Sequence, residues 1–375
     1  MEDMSSDAGE KRRLHSPVLP NFASTFKIGD RAIGAGEPCY TIAEAGSNHD
    51  RSIEKALALV DAASAAGCDA VKFQTFTGDD IAAGPGTAFT KLPAEFRRWG
   101  AELQEFYRAC SLPTEFHKPI AERARERGIT FFSSAFSEWA VDFLVELGVP
   151  AIKIASFELV HLPLIRHAAS ARLPLILSTG LAGLGDIERA LEAANQGGAT
   201  DIALLHCGSN YPLSAAGANL SAMETIRRAF LVPVGYSDHT RGLAVPIAAA
   251  ALGASLIEKH FTLNRSGDGP DHAFAIEPGE LREMVAQITE AQAAIGSSLK
   301  RRVPEEELNA RRGRRSLIAA RDIKHGEYLS REMVKVVRPG EGLEPFLLDV
   351  LLGTRVVRNV KAESPLTWDD FLAKA

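Results

Sequence analysis

Eight short apolar runs recur between residues 41 and 261, and they constrain the fold more than any other feature of the chain. They are TIAEAG (41–46), AVKFQT (70–75), ITFFSS (129–134), AIKIAS (151–156), PLILST (174–179), IALLHC (202–207), VPVGYS (232–237) and LIEKHF (256–261). Runs that are apolar at successive positions read as strands buried on both faces of a parallel sheet. The stretches between them carry helical spacing. Ile53, Ala56, Leu57 and Val60 fall on one helix face, as do Ile187, Ala190, Leu191 and Ala194. Ala140, Phe143, Leu144 and Leu147 repeat the pattern, with Ser137 placed to cap the start and Gly148 just past the end. Leu281, Met284, Val285 and Ile288 form the last such face, with Pro278 near its start. Eight strands alternating with helices over about 260 residues predict a (β/α)8 TIM barrel, whose usual size is about 250. An open doubly wound sheet would need a GxGxxG turn after the first strand, and AEAGSNHDRS (43–52) has none.

The remaining segments fit around that core. Residues 1–25 are polar and are expected to be disordered. FKIGDRAIG (26–34) alternates about Gly29-Asp30, a hairpin signal. The barrel is expected to occupy 26–297. Within it, 78–112 is longer than a routine connection and reads as a lid or binding loop. Pro119 is expected to interrupt the second helix. Residues 298–315 are charged, lack an apolar face and read as a linker. Residues 316–375 form a separate small β-rich module, with a turn at Lys324-His325-Gly326-Glu327 and a helix at 345–352.

Composition excludes several classes. A formal net charge of −6 argues against general nucleic-acid binding. Cys39, Cys68, Cys110 and Cys207 form no CxxC pair and fit reduced thiols in a cytoplasm. The N-terminal residues lack the apolar core of a signal peptide, and no apolar run reaches the length of a membrane span.

The polar residues fall at one end of the strands. Glu44, Lys72 with Gln74, Ser133 with Ser134, Ser156 with Glu158, Ser178 with Thr179, His206, Ser237 with Asp238 and His239, and Glu258 with His260 all stand at C-terminal strand ends. In a barrel these ends open on a single face, where active sites lie. Lys72 with Ser134, Ser156, Ser178 and Ser237 suits an anion such as phosphate. His239 and His260 close adjacent strands and suit either a divalent metal or hydrogen bonds to substrate. Glu44 and Glu258 read as a general base, as sugar ligands, or as ion-pair partners of Lys72 or Lys153. Asp271, in the loop GPDHAF, reads as a ligand contact or a turn initiator.

Taken together, IAEAGSNH (42–49), VKFQTF (71–76), FSSAF (132–136), KIASFEL (153–159), LSTG (177–180), LLHCGSNYP (204–212), GYSDHT (235–240), EKHFTLNR (258–265) and GPDHAF (269–274) resemble the sialic acid synthase family. The C-terminal module, with ARDIKHGEYLSREMVKVVRPGEGL, resembles that family's antifreeze-like (SAF) domain. The resemblance implies a cytoplasmic transferase that condenses phosphoenolpyruvate with an acetamido sugar to a nonulosonic acid. It implies a divalent metal on His239 and His260, Mn²⁺ before Mg²⁺ or Co²⁺. It places phosphoenolpyruvate on Lys72, Ser134, Ser156, Ser178 and Ser237, with Gln74 beside them. Glu44 matches a catalytic-site carboxylate, and Glu158 and Asp271 match acceptor contacts. The family often carries an asparagine after HC, where this chain has Gly208-Ser209-Asn210 and either Ser209 or Asn210 replaces it, with Tyr211 beside them as a further substrate contact. Arg338 matches an arginine that one subunit inserts into its partner's barrel in a domain-swapped homodimer. IASFEL, SSAF and RPGEGL resemble the pseudaminic acid synthases, whereas Ala135, YPLSAAGANL and Pro119 depart from them. N-acetylneuraminate and legionaminic acid synthases are the alternatives. Other phosphoenolpyruvate aldol enzymes, a metal-dependent aldolase or hydrolase, and a non-catalytic carbohydrate-binding barrel are the rivals outside the family.

Overall fold

A computed structural model describes residues 22–86, 88–92 and 94–372, which divide between Gly296 and Ser297 into two compact units. In the first, strands β1 (Thr25–Ile28) and β2 (Arg31–Gly34) pair antiparallel, turning at Gly29, whose φ of 58° is the left-handed region that glycine enters without cost. Eight parallel strands follow: β3 (Tyr40–Glu44), β4 (Ala70–Thr75), β5 (Thr130–Ala135), β6 (Ile152–Ile154), β7 (Leu175–Ser178), β8 (Ile202–Cys207), β9 (Val234–Asp238) and β10 (Leu256–His260). Each pairs with the next and β10 returns to β3, so the sheet closes into a barrel. All eight predicted strands are present.

The helical spacing is borne out as well. Helices span Ile53–Ala65, Glu138–Leu147, Leu184–Gly197 and Pro278–Ile295. The second follows Ser137 and ends at Gly148, which is left-handed at φ 81°. Their apolar faces pack outside the barrel, where Leu59, Leu144, Ile187 and Leu281 are buried. The β1–β2 hairpin meets the N-terminal ends of the barrel strands. Ala23 N donates to Thr200 O at 2.9 Å, and Arg31 pairs with Asp69 at 2.7 Å.

Three local expectations change. Residues 1–21 of the segment expected to be disordered lie outside the described residues, but 22–25 are structured: Phe22 is buried and Thr25 opens β1. Pro119 does not break a helix. It is the third residue of the helix His117–Arg127, in the first turn, where its missing N–H would have had no partner anyway. The described part of 78–112 is not a bare loop. It folds as helices Gly78–Ile81 and Leu103–Cys110 around a 3₁₀ turn at Ala94–Trp99, packed through Phe96, Trp99, Phe106 and Tyr107.

The second unit holds β11 (Ser316–Ala319) paired antiparallel with β12 (Val334–Val337), over a core of Leu317, Ile323, Leu329, Val334, Val356, Val360 and Leu366. Gly326 turns at φ 90° between Lys324 and Glu327, and Leu348–Leu351 is helical, both as expected. Part of the segment read as a linker is itself folded: Glu307–Gly313 is a helix, and Gly340 N donates to Arg311 O at 2.7 Å.

Close packing makes a sharp contrast between two glycines. A Cβ on Gly235 in β9 would stand 2.3 Å from Leu256 O of the neighbouring strand and 2.8 Å from Leu205 Cδ2. One on Gly279, in the helix Pro278–Ile295, would meet nothing within 4 Å. Gly235→Ala should therefore cost about 1–3 kcal/mol or more through strand displacement, whereas Gly279→Ala should be neutral or stabilising by up to about 1 kcal/mol. Urea unfolding of both variants checks the contrast.

Candidate active site

The barrel's pleat sorts the strand-end residues into two sets, because paired positions on parallel strands project to the same side. Glu44 is the register partner of Lys72, Gln74 of Ser134, and Glu258 of Ser237. These side chains meet inside the barrel. Lys72 Nζ lies 2.7 Å from Glu44 Oε2, donates to Ser134 Oγ at 2.9 Å and stands 3.6 Å from Glu258 Oε1. Gln74 Nε2 donates to Glu44 Oε1 at 2.7 Å, and Ser237 Oγ donates to Glu258 Oε1 at 3.2 Å. Lys153, in β6, completes the set: its Nζ donates to Ser178 Oγ at 2.6 Å and lies 4.0 Å from Glu258 Oε2. Both lysines and both glutamates are buried.

Lys153 was considered in the sequence only as an ion-pair partner, with Lys72 as the main cation at the mouth. The structure makes it an equal member. The available signal was a lysine inside the apolar run AIKIAS, in phase with strand positions that face inward.

The other set points away from the interior. Ser133 Oγ and Thr75 Oγ1 lie 2.7 Å apart beside His117 of the surrounding helix, and Thr179 Oγ1 donates to Leu205 O. His206 Nε2 lies 3.0 Å from Ala218 O, and Asp238 pairs with Lys259 at 2.6 Å. Their place at the strand ends predicts a position at the mouth. Facing the opposite side of the sheet removes Ser133, Thr179, His206 and Asp238 from it.

Above the lysines the loops bring further groups together. Ser156 Oγ lies 3.0 Å from Cys207 Sγ and accepts from Gly180 N at 3.1 Å. Ser209 points to the same place: its Oγ lies 2.2 Å from where a Cβ on Gly180 would be, and it is buried without a partner. Asn210 is exposed, so Ser209 is the member of that stretch that faces Ser156. Tyr211 packs its ring 4.1 Å from that of His239, centroid to centroid. Glu158 keeps one carboxylate oxygen buried and unpartnered, and Asp271 Oδ2 accepts from Ser47 N at 3.1 Å while lying 3.9 Å from His260 Nδ1. Arg338 belongs to the second unit, where it is exposed.

His239 and His260 stand with ring centroids 5.3 Å apart. His239 Nδ1 lies 2.7 Å from Gly208 O. A carbonyl can only accept, so Nδ1 carries the proton and Nε2 keeps its lone pair. Among the described residues His260 Nδ1 is buried without a hydrogen-bond partner. Burial lowers the basicity of both rings, His239 to about 4 with His260 beside it adding to the effect. Two neutral imidazoles with free ring nitrogens fit a divalent cation. Among the described residues no third His, Cys, Asp or Glu groups with them as a ligand, so such a cation would keep positions for water and substrate.

Charge balance separates the two glutamates. Burial pushes Glu44 up to about 7, against the pull of Lys72 and with the help of Glu258. Burial also acts on Glu258, but Lys153 and Lys72 together outweigh it and hold its carboxyl at about 2. Burial pushes Glu158 to about 7 as well. Burial depresses Lys153, whereas for Lys72 it is overcome by Glu258 and Glu44, which raise it. Burial thus raises Glu44, while the two lysines hold Glu258 low.

Residues 59–300 match the NeuB family, and residues 314–372 match the SAF domain. The chain is 38% identical to an N,N'-diacetyllegionaminic acid synthase of Legionella pneumophila, covering 91% of this chain and 97% of that one. It is 37% identical to a pseudaminic acid synthase of Helicobacter pylori, covering 89% and 98%. A crystal structure of an N-acetylneuraminic acid synthetase from Leptospira borgpetersenii superposes with a TM-score of 0.68 at 30% identity, covering 76% of this chain and 94% of that one.

The sign of the Glu44 shift is testable. A carboxyl raised from 4.5 to about 7 holds its proton more tightly folded than unfolded, so its contribution to stability falls as pH rises across that window. Isotope-edited infrared spectra, with Glu44→Gln subtracted to remove Glu158, should show a protonated carboxyl band that disappears near pH 7. Because Lys72 opposes the shift, Lys72→Met should move that midpoint upward; a downward move would refute the charge assignment.

Proposed function

The chain belongs to the NeuB family, and on that premise we propose that it condenses phosphoenolpyruvate with an open-chain acetamido sugar to a nonulosonic acid, releasing inorganic phosphate. The observation that carries this reading is the pair of buried lysines, Lys72 and Lys153, each bonded to an inward serine and both facing Glu258. Two cations with hydroxyl donors in a closed interior suit a small molecule bearing both phosphate and carboxylate.

In the proposed reaction Lys72 with Ser134, and Lys153 with Ser178, bind the two anionic groups and fix the enol ether for attack. Glu258 keeps both lysines charged. A divalent cation on His239 and His260 would supply Lewis acidity toward the aldehyde oxygen. Carbon 3 of phosphoenolpyruvate forms the new bond to the aldehyde carbon as the aldehyde oxygen takes the proton held by Glu44, leaving carbon 2 electron-deficient. Water adds there and gives its proton to Glu44, whose carboxyl near 7 suits proton exchange at neutral pH. The tetrahedral centre then expels phosphate with the electron pair of the C–O bond, and the keto acid remains. Ser156 and Ser237 complete the phosphoenolpyruvate side, Glu158 and Asp271 face the acceptor, and Tyr211 packs on His239. We take the acceptor to be 2,4-diacetamido-2,4,6-trideoxy-L-altrose, giving pseudaminic acid, on the strength of IASFEL, SSAF and RPGEGL. A legionaminic product is the second reading, supported by 38% identity to the Legionella pneumophila synthase against 37% to the Helicobacter pylori pseudaminic acid synthase, and an N-acetylneuraminic product rests on the likeness to the Leptospira borgpetersenii synthetase.

Incubation with phosphoenolpyruvate, Mn²⁺ and a panel of acetamido sugars in ¹⁸O-water tests both levels. Mass spectrometry should find the label in the nonulosonic acid and not in phosphate, and exhaustive chelation should stop turnover. Label in phosphate would mean P–O cleavage and a different reaction; the sugar consumed decides the acceptor.

Arg338 is proposed to serve the barrel of a partner subunit in a homodimer, supplying a cation for an acetamido group or carboxylate. Mixing Arg338→Ala with Lys72→Ala, each inactive alone, should restore activity after subunit exchange. Random pairing across a two-fold dimer would give about a quarter of the wild-type value, since half the dimers are mixed and half their sites intact. No recovery despite confirmed exchange would place Arg338 in its own chain's site or outside the reaction.

A further inference from the structure

We propose that the outward-facing ion pair Lys259–Asp238 is a positioning device that sets the placement of His239 and His260 from behind the barrel wall. This rests on the metal reading of those histidines. The two residues are Cα partners on β10 and β9, so their side chains share the outer face of the sheet. Both are buried, and they meet at 2.6 Å. Lys259 lies in sequence between Glu258, which holds the interior lysines, and His260. Asp238 immediately precedes His239.

The remaining bonds of the pair tie down the turn that carries His239. Asp238 Oδ1 accepts from Thr240 N at 2.9 Å, and Lys259 Nζ also donates to Thr240 O. The backbone just after His239 is thus tied to the side chain just before it, Asp238, and to Lys259, which stands next to His260. On the inner side, Gly208 O holds the His239 ring through Nδ1. The imidazole is therefore constrained at its ring from within and at its main chain from without.

A stability role alone does not account for the pair. A buried ion pair gains little over an apolar pair of similar shape, because desolvation offsets the attraction. An apolar pair would fill the space but would offer nothing to Thr240 N or Thr240 O. The chemistry that only the charged pair supplies is the clamp on that turn.

The test separates packing from placement. The variants are the double change Asp238→Leu with Lys259→Met, which keeps the volume and removes the clamp, and Lys259→Arg, which keeps the charge but alters its reach. The readouts are thermal unfolding, Mn²⁺ affinity by electron paramagnetic resonance titration, and the ¹⁵N shifts of the His239 ring in metal-free protein. The double variant should remain folded, with its unfolding temperature lowered by the loss of the two Thr240 bonds, and bind Mn²⁺ roughly 10–100-fold more weakly, the usual loss when support behind a ligand is removed. Its His239 ring signals should move, and Lys259→Arg should retain part of the affinity. A folded double variant with wild-type affinity and unmoved ring signals would overturn the proposal. If the double variant does not fold, wild-type affinity in Lys259→Arg would overturn it and a partial loss would support it. Absence of Mn²⁺ binding in the wild type would instead refute the metal reading, and the ring shifts would then decide the positioning role.

Discussion

Everything at the mouth of this barrel depends on Glu258. Two lysines cannot be buried side by side in an apolar cylinder without an anion between them, because an unpaired buried charge loses its hydration without compensation. Glu258 reaches Lys72 with one oxygen and Lys153 with the other, at 3.6 and 4.0 Å. Its own ionisation is stabilised by both. The result is a fixed, water-poor pair of cations, each oriented by a serine, before any ligand arrives. That arrangement is what anion recognition requires, since the cost of ordering the cations is met in folding rather than at binding.

The same network sets Glu44 apart. It shares Lys72 with Glu258, and the partial neutralisation it receives does not offset its burial, so it keeps a proton close to neutral pH. One carboxylate held ionised and another poised to exchange is the division of labour expected where acid–base chemistry accompanies anion binding. The histidines complete the contrast, their basicity lowered chiefly by burial, with Lys72 adding to the effect at His260.

A second polar network, Lys259 with Asp238 and Thr240, occupies the outer side of the same two strands. Inner and outer networks are built from alternating residues: Ser237 and Glu258 face in, Asp238 and Lys259 face out. Neither set can shift by one residue without exchanging places with the other, so the charges themselves fix the register of β9 on β10.

Much of this was legible in the amino-acid order. The eight apolar runs specify eight buried parallel strands because only that sheet type leaves strands without a wet face, and the helical spacing and the caps at Ser137 and Gly148 follow local rules. Glu44, Lys72, Ser134, Ser178, Ser237 and His260 could be placed near one another because strand ends converge in a closed barrel. Which of two adjacent polar residues faces inward was not legible from composition alone. The choice between Ser133 and Ser134, or Asp238 and Ser237, turns on the phase of the pleat, which closure of the sheet sets. Lys153 is legible only as an ion-pair partner, because a charged residue in an apolar run gains its meaning from partners on other strands, and Glu258 and Ser178 are distant in sequence. Ser209 over Asn210 depended likewise on the approach of Gly180 and Ser156. Local order thus determined the elements and their sequence around the barrel; tertiary closure alone decided side, partner and protonation, because each is a property of groups brought together across many residues of chain.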